Sequence, residues 1–118
     1  RKVLGGGMRQ AGVIAAAGVY ALEHMVDRLQ EDHENARILA RGLAELPMVA
    51  LDPSAIETNI VIFGVEDAAG FARRLKQAGV LCTSPGHGRL RMVTHYGIER
   101  ADIEDALERA RQAAAATA

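Results

Sequence analysis

Apolar residues in the first part of the chain recur at helical spacing. Between residues 8 and 25, Val13, Ile14, Ala17, Ala21 and Met25 keep to i+3/i+4 steps and predict a helix. Ala15, Ala16, Gly18 and Val19 make its other faces apolar as well, and a helix apolar all round is expected to be buried on every side. Its small residues would let a second backbone come close. The rest of this chain cannot supply that cover, so a missing domain or a partner subunit is implied. A second helix is predicted over 27–46, with Leu29, Ala36, Leu39, Leu43 and Leu46 along one face and Glu31, Asp32, Glu34, Arg37 and Arg41 largely elsewhere. Asp27 is the candidate cap at its start, and Pro47 closes it by pushing the preceding residue out of helical geometry.

From there the period falls to two. Residues 48–51 read as a short strand, 52–54 as a turn, and 58–65 as a stronger strand rich in Ile and Val. Residues 66–79 form an amphipathic helix with Ala68, Phe71, Ala72 and Leu75 inward. A strand over 80–83, a turn over 84–88 and a strand over 89–94 follow. The last helix spans 99–114 on the stripe Ile103, Ala106, Leu107 and Ala110, and its acidic start suits the positive end of the helix dipole. The alanine tail beyond it is expected to fray. The expected fold class is therefore α+β: two N-terminal helices, then a small, mostly antiparallel sheet in the order β-β-α-β-β-α, covered by helices on one face. Residues 1–47 read as a helical segment leading to the missing partner, and residues 48–118 as a small α+β domain.

Composition adds limits. In 118 residues, 49% hydrophobic, 25% charged and 3% aromatic suit a small globular unit of closely packed helices. A net charge of −1 gives no electrostatic case for nucleic acid or an anionic membrane. The uncharged apolar run over 11–22 is twelve residues, too short to span a bilayer. Cys82 is the single cysteine and cannot form an internal disulfide, so a cytoplasmic setting is expected. The chain opens at Arg1, without Met, directly on a glycine-rich loop, which reads as a segment of something longer.

Few residues could carry chemistry. In RLRMVTH, strand alternation sets Arg89, Arg91 and Val93 on the face opposite Leu90, Met92 and Thr94. An arginine held on a strand can grip a carboxylate with two parallel hydrogen bonds, or it can simply face solvent. RKVLGGGMRQAG joins glycines to a helix start between Lys2 and Arg9, as anion-binding loops do. It fits neither the dinucleotide nor the P-loop pattern, and a hinge or cap explains it equally. Cys82 reads as a small buried hydrophobe rather than a nucleophile, since no base is paired with it. His24, Asp27 and Glu31, with His33 nearby, could offer metal ligands, but an ion-paired helix surface accounts for them and no metal is expected. His87 sits in a glycine-proline turn. His95 ends the Arg91 strand, where it could point to a site or cap the next turn.

Taken together, LGGGMRQ, LQEDH, TNIVIF and RMVTH resemble the low-specificity L-threonine aldolases, in order and over nearly the whole chain. The resemblance implies the C-terminal part of a fold-type I pyridoxal-phosphate enzyme that splits threonine or allo-threonine into glycine and acetaldehyde. Such enzymes use pyridoxal 5'-phosphate as an electron sink. By the resemblance Arg91 matches the arginine that binds the substrate α-carboxylate. Arg9 and Lys2 match basic residues near the cofactor phosphate, supplied across a subunit interface of a homo-oligomer. Lys2 is not the cofactor lysine, which lies upstream in the family together with the acid–base histidines. No catalytic residue is therefore expected on this chain, which is predicted inactive alone. Glu99 stands where family members often carry a capping serine, which draws attention to that helix start. Two alternatives stay open: a sister lyase acting on another β-hydroxy-amino acid, and a free-standing small-molecule-binding or dimerisation module.

Overall fold

The computed structural model describes residues 2–116, with the side chain of Lys2 outside the described set; of the tail expected to fray, Ala115 is helical, and Thr117 and Ala118 lie outside the described residues. A 3₁₀ turn over Lys2–Leu4 leads through Gly5, at φ +79°, and Gln10, at φ +47°, into helix α1, Gly12–His24. The expected start at residue 8 moves to residue 12 because Gln10 leaves right-handed geometry. No residue of α1 is buried, and Val13 and Leu22 stand 76% and 74% exposed. The expected all-round burial is thus not met within this chain.

Helix α2 runs over Leu29–Ala44 and buries Asn35, Ala36, Leu39, Ala40 and Leu43. Two details correct the periodicity. Asp27 does not cap it: Arg28 holds the N-cap position without a side-chain capping bond, and it binds Asp32 instead. Leu29 lies exposed while Asp32 is buried, because the Arg28 guanidinium accompanies the carboxylate inward. After Pro47 come strand β1, Val49–Ala50, and a 3₁₀ turn, Pro53–Ala55, capped by the Asp52 carboxylate, which accepts from Ser54 N at 2.9 Å.

Strand β2, Ile60–Val65, and helix α3, Ala68–Gln77, follow, with Asp67 Oδ1 accepting from Gly70 N at 2.9 Å to start the helix. Strand β3 is Thr83–Gly86, not 80–83, so the expected turn at 84–88 contracts to two residues. His87 and Gly88, at φ +55° and +69°, form a tight two-residue hairpin turn, and Gly86 before them, also at positive φ (+92°), still pairs with Arg89. Strand β4, Arg89–Val93, and helix α4, Arg100–Ala115, complete the chain. Glu99 holds the N-cap position of α4, and Asp102 Oδ2 accepts from its backbone N–H at 2.8 Å.

The sheet is antiparallel throughout, in the order β1-β2-β4-β3. Register sets Val61 beside Met92 and Phe63 beside Leu90 on one face, which α2 and α3 cover, with α4 packed on those two helices. Phe63, Phe71, Leu43, Leu75 and Leu90 are fully enclosed there. Each contributes roughly 1.5–3 kcal/mol by leaving water. This is the expected α+β layer with helices on one face. The radius of gyration, 17.6 Å, exceeds the ~13.5 Å expected of a compact domain this long. The body comprising α2 to α4 is compact, and the unpacked arm carrying α1 accounts for the excess.

Candidate functional site

The uncovered sheet face carries Ile60, Ile62, Arg89, Arg91 and Val93. Ile60, Ile62 and Val93 are 40%, 39% and 43% exposed, an unusual share of branched apolar surface for a face turned to water. Arg91 stands among them, paired in register with Ile62 on β2 and Thr83 on β3. Its Nε donates to Thr83 Oγ1 at 3.2 Å. Arg28, Arg74, Arg100, Arg109 and Arg111 each face a carboxylate within 4 Å. Arg91 has no such partner among the described residues, so its charge remains available to an incoming anion. Arg89 shares the face at the hairpin end, opposite Gly64.

The far end of β4 is fastened from beneath. Thr94, nearly inaccessible, donates Oγ1–H to the carbonyl of Asp32 at 2.6 Å. Asn59 Nδ2 donates to the Thr94 carbonyl at 2.6 Å, and the Thr94 N–H returns to the Asn59 carbonyl at 3.0 Å. Asp32 itself takes both terminal nitrogens of Arg28, at 3.0 and 2.7 Å, with the Tyr96 ring lying 4.9 Å from that guanidinium. The Asp32 hydrogen bond drives the Arg28 pKa up. These bonds hold the strand bearing Arg91 against α2. Alternation assigned Thr94 its face, but nothing in the spacing identified Asp32, Asn59 or Thr83 as its partners or as neighbours of Arg91.

The other candidates lie apart from this arrangement. Arg9 is exposed on the segment before α1 and makes no hydrogen bond or ion pair among the described residues. A side chain added at Gly5, Gly7 or Gly12 would meet nothing within 4 Å among the described residues, so these close no cradle at the three positions. The Lys2 side chain lies outside the described residues. Cys82 is half-buried and burial pushes its thiol pKa up, which keeps it protonated and poorly nucleophilic at neutral pH. His24 stacks on Tyr20 and Glu31 pairs with Arg28; no group of three His, Cys, Asp or Glu side chains among the described residues is arranged to hold a metal ion. His87 is exposed in the hairpin turn. His95 Nδ1 meets the Tyr96 carbonyl at 2.8 Å, while the His95 carbonyl accepts from Ile98 N, so this residue closes the turn before α4. No described helix is long and apolar enough to cross a membrane.

A family model described as beta-eliminating lyase matches residues 1–68. Over 96% of its length the chain is 36% identical to low-specificity L-threonine aldolase 1 of Arabidopsis thaliana, covering 33% of that protein. It is 40% identical to the probable low-specificity L-threonine aldolase 2 of the same plant, over 88% of this chain and 31% of the relative. The low specificity L-threonine aldolase of Escherichia coli (strain K12) matches at 40% identity over 89% of this chain and 31% of its own length. The chain thus spans about a third of the length of these curated relatives. With more than half of its residues inside the family model, the chain belongs to the beta-eliminating lyase family, and the fold-type I assignment follows from its aldolase relatives.

Proposed function

We propose that the full protein is a pyridoxal-phosphate-dependent aldolase cleaving L-threonine or L-allo-threonine to glycine and acetaldehyde, and that this chain contributes the arginine holding the substrate α-carboxylate. The observation carrying this reading is Arg91: a strand-mounted guanidinium without a carboxylate partner, set among exposed Ile60, Ile62 and Val93. The names of the relatives supply the reaction class. A guanidinium with its two terminal nitrogens free takes a carboxylate through parallel charge-assisted hydrogen bonds, fixing the amino acid's orientation. The apolar neighbours lower the local dielectric once covered, which strengthens that grip.

The described residues do not fit the cofactor by themselves. Among the described side chains the sole lysine is Lys76, at the end of α3, a helix packed on the covered side of the sheet, and a side chain at Gly5, Gly7 or Gly12 would meet no described neighbour within 4 Å. The chemistry supplied by bound pyridoxal phosphate, stabilisation of the electron pair left when Cα–Cβ breaks, is therefore assigned to the remainder of the protein. Arg9 and Lys2 then serve as basic residues toward the cofactor phosphate, contributed across a subunit contact of a homo-oligomer. The wholly exposed α1 favours this reading over a self-sufficient module, which would cover its own apolar helix. The test measures acetaldehyde release from L-threonine. The full protein with cofactor is expected to be active and the 118-residue chain alone inactive, with no cofactor absorbance band. Turnover by the isolated chain, or none of any β-hydroxy-amino acid by the full protein, contradicts the proposal.

A further inference from the structure

We infer that Thr83 is a positioning residue for Arg91: its hydroxyl engages Nε and leaves the two terminal nitrogens to meet a carboxylate. The inference rests on the reading of Arg91 given above and adds a residue to it. Thr83 and Arg91 are direct register partners on β3 and β4, and the register shifts between Thr83 and the next paired position, Gly86. The 3.2 Å bond runs from Nε to Oγ1. On the other side the register partner is Ile62, whose side chain offers no acceptor. Thr83 is thus the one polar side chain among Arg91's two register partners.

Two physical consequences follow. An arginine side chain loses considerable rotamer freedom when it settles on a ligand, and an acceptor that already holds Nε removes part of that loss beforehand. Threonine suits the task because two heavy atoms on Cβ restrict χ1, so the hydroxyl does not wander. The choice of Nε also matters. A hydroxyl on a terminal nitrogen would compete with the substrate carboxylate for one of the two parallel bonds, whereas one on Nε leaves the outer edge of the guanidinium intact.

The experiment uses the full protein with its cofactor and L-threonine as substrate. Thr83→Val keeps the branched shape and removes the acceptor. It is expected to raise KM roughly threefold to tenfold, the scale of one lost hydrogen bond, with kcat within about twofold. Thr83→Ser restores the hydroxyl and is expected to return KM most of the way to the parent value. In an Arg91→Ala background, Thr83→Val should add no further loss, because the hydroxyl then has nothing to orient. An unchanged KM in Thr83→Val, while Arg91→Ala raises it, overturns the role of Thr83 and leaves the reading of Arg91 standing. So does a Thr83→Val loss that repeats in full on Arg91→Ala, which marks a purely structural effect. An Arg91→Ala protein with unaltered KM overturns both readings together.

Discussion

Helices α1 and α2 lie next to each other in the chain and meet opposite fates. α1 is the more apolar, yet none of its residues is buried; α2 carries a charge on nearly every turn, yet seven of its residues are enclosed. The difference lies in distribution and partners. In α2 the apolar positions form one stripe that fits the sheet and α4, with Gly42 letting Leu107 come close. In α1 the apolar positions surround the axis, so no single contact with this body could cover them. Hydrophobicity alone therefore predicts that a segment will be covered somewhere. Its pattern tells whether the chain can do that by itself.

The contrast can be broken most forcefully in the core. Phe63→Ala, at a fully enclosed position on β2, is expected to cost about 3–5 kcal/mol of stability in the isolated chain. Ile14→Ala, on exposed α1, should change it by less than about 0.5 kcal/mol. Denaturant titrations of the two variants measure both; comparable losses would mean that α1 packs on the body after all.

The glycines sharpen the same comparison with opposite signs. A methyl group at Gly42 would come within 2.5 Å of Leu107 Cδ1, so Gly42→Ala should destabilise by about 1–3 kcal/mol through forced separation of α2 and α4. At Gly18, mid-α1, the added carbon meets nothing within 4 Å. Gly18→Ala should therefore gain about 0.5–1 kcal/mol of helix stability, visible as increased helicity by circular dichroism. The same substitution in the assembled full protein is expected to weaken subunit association if a second backbone rests on that glycine.

A smaller effect depends on pH. Hydrogen bonds from the Ser54 hydroxyl and backbone hold the Asp52 carboxyl below its ordinary pKa. A carboxyl lowered by folding contributes stability that is present above its unfolded value and lost as pH falls through the folded value. Asp52→Ala should thus lower the melting temperature slightly at neutral pH, and that difference should shrink in acid. A difference that grows in acid would contradict the assignment.

The body was largely legible because its elements follow one period at a time. Phe71 and Leu75 on α3, Ile103 and Leu107 on α4, and the alternation through β2 and β4 all found their expected sides. Local chemistry misled where a residue plays an unexpected part. Ser84, Pro85 and Gly86 read as a turn, yet the positive φ angles fall on Gly86, His87 and Gly88, and the segment up to Gly86 pairs as β3. Asp32 read as lying off the apolar face of its helix, yet it is buried and Arg28 pairs with it. For the candidate site, alternation gave the face of Arg91, and the resemblance gave its role as an expectation. The contact with Thr83 required the register of β3, and the fastening of Thr94 spans 62 positions to Asp32, which no local pattern encodes.

Arg89 and Arg91 occupy the same strand and the same open face, two residues apart, and only Arg91 is held by Thr83. The most direct test of the account compares Arg91→Ala with Arg89→Ala in the full protein, measuring kcat/KM for L-threonine. The account predicts that Arg91→Ala lowers it by about a hundredfold or more, mainly through KM, as expected for loss of two charge-assisted bonds. Arg89→Ala should stay within about threefold of the parent, as for a solvent-facing charge. Equal losses in the two variants, or an Arg91→Ala protein as efficient as the parent, would contradict it.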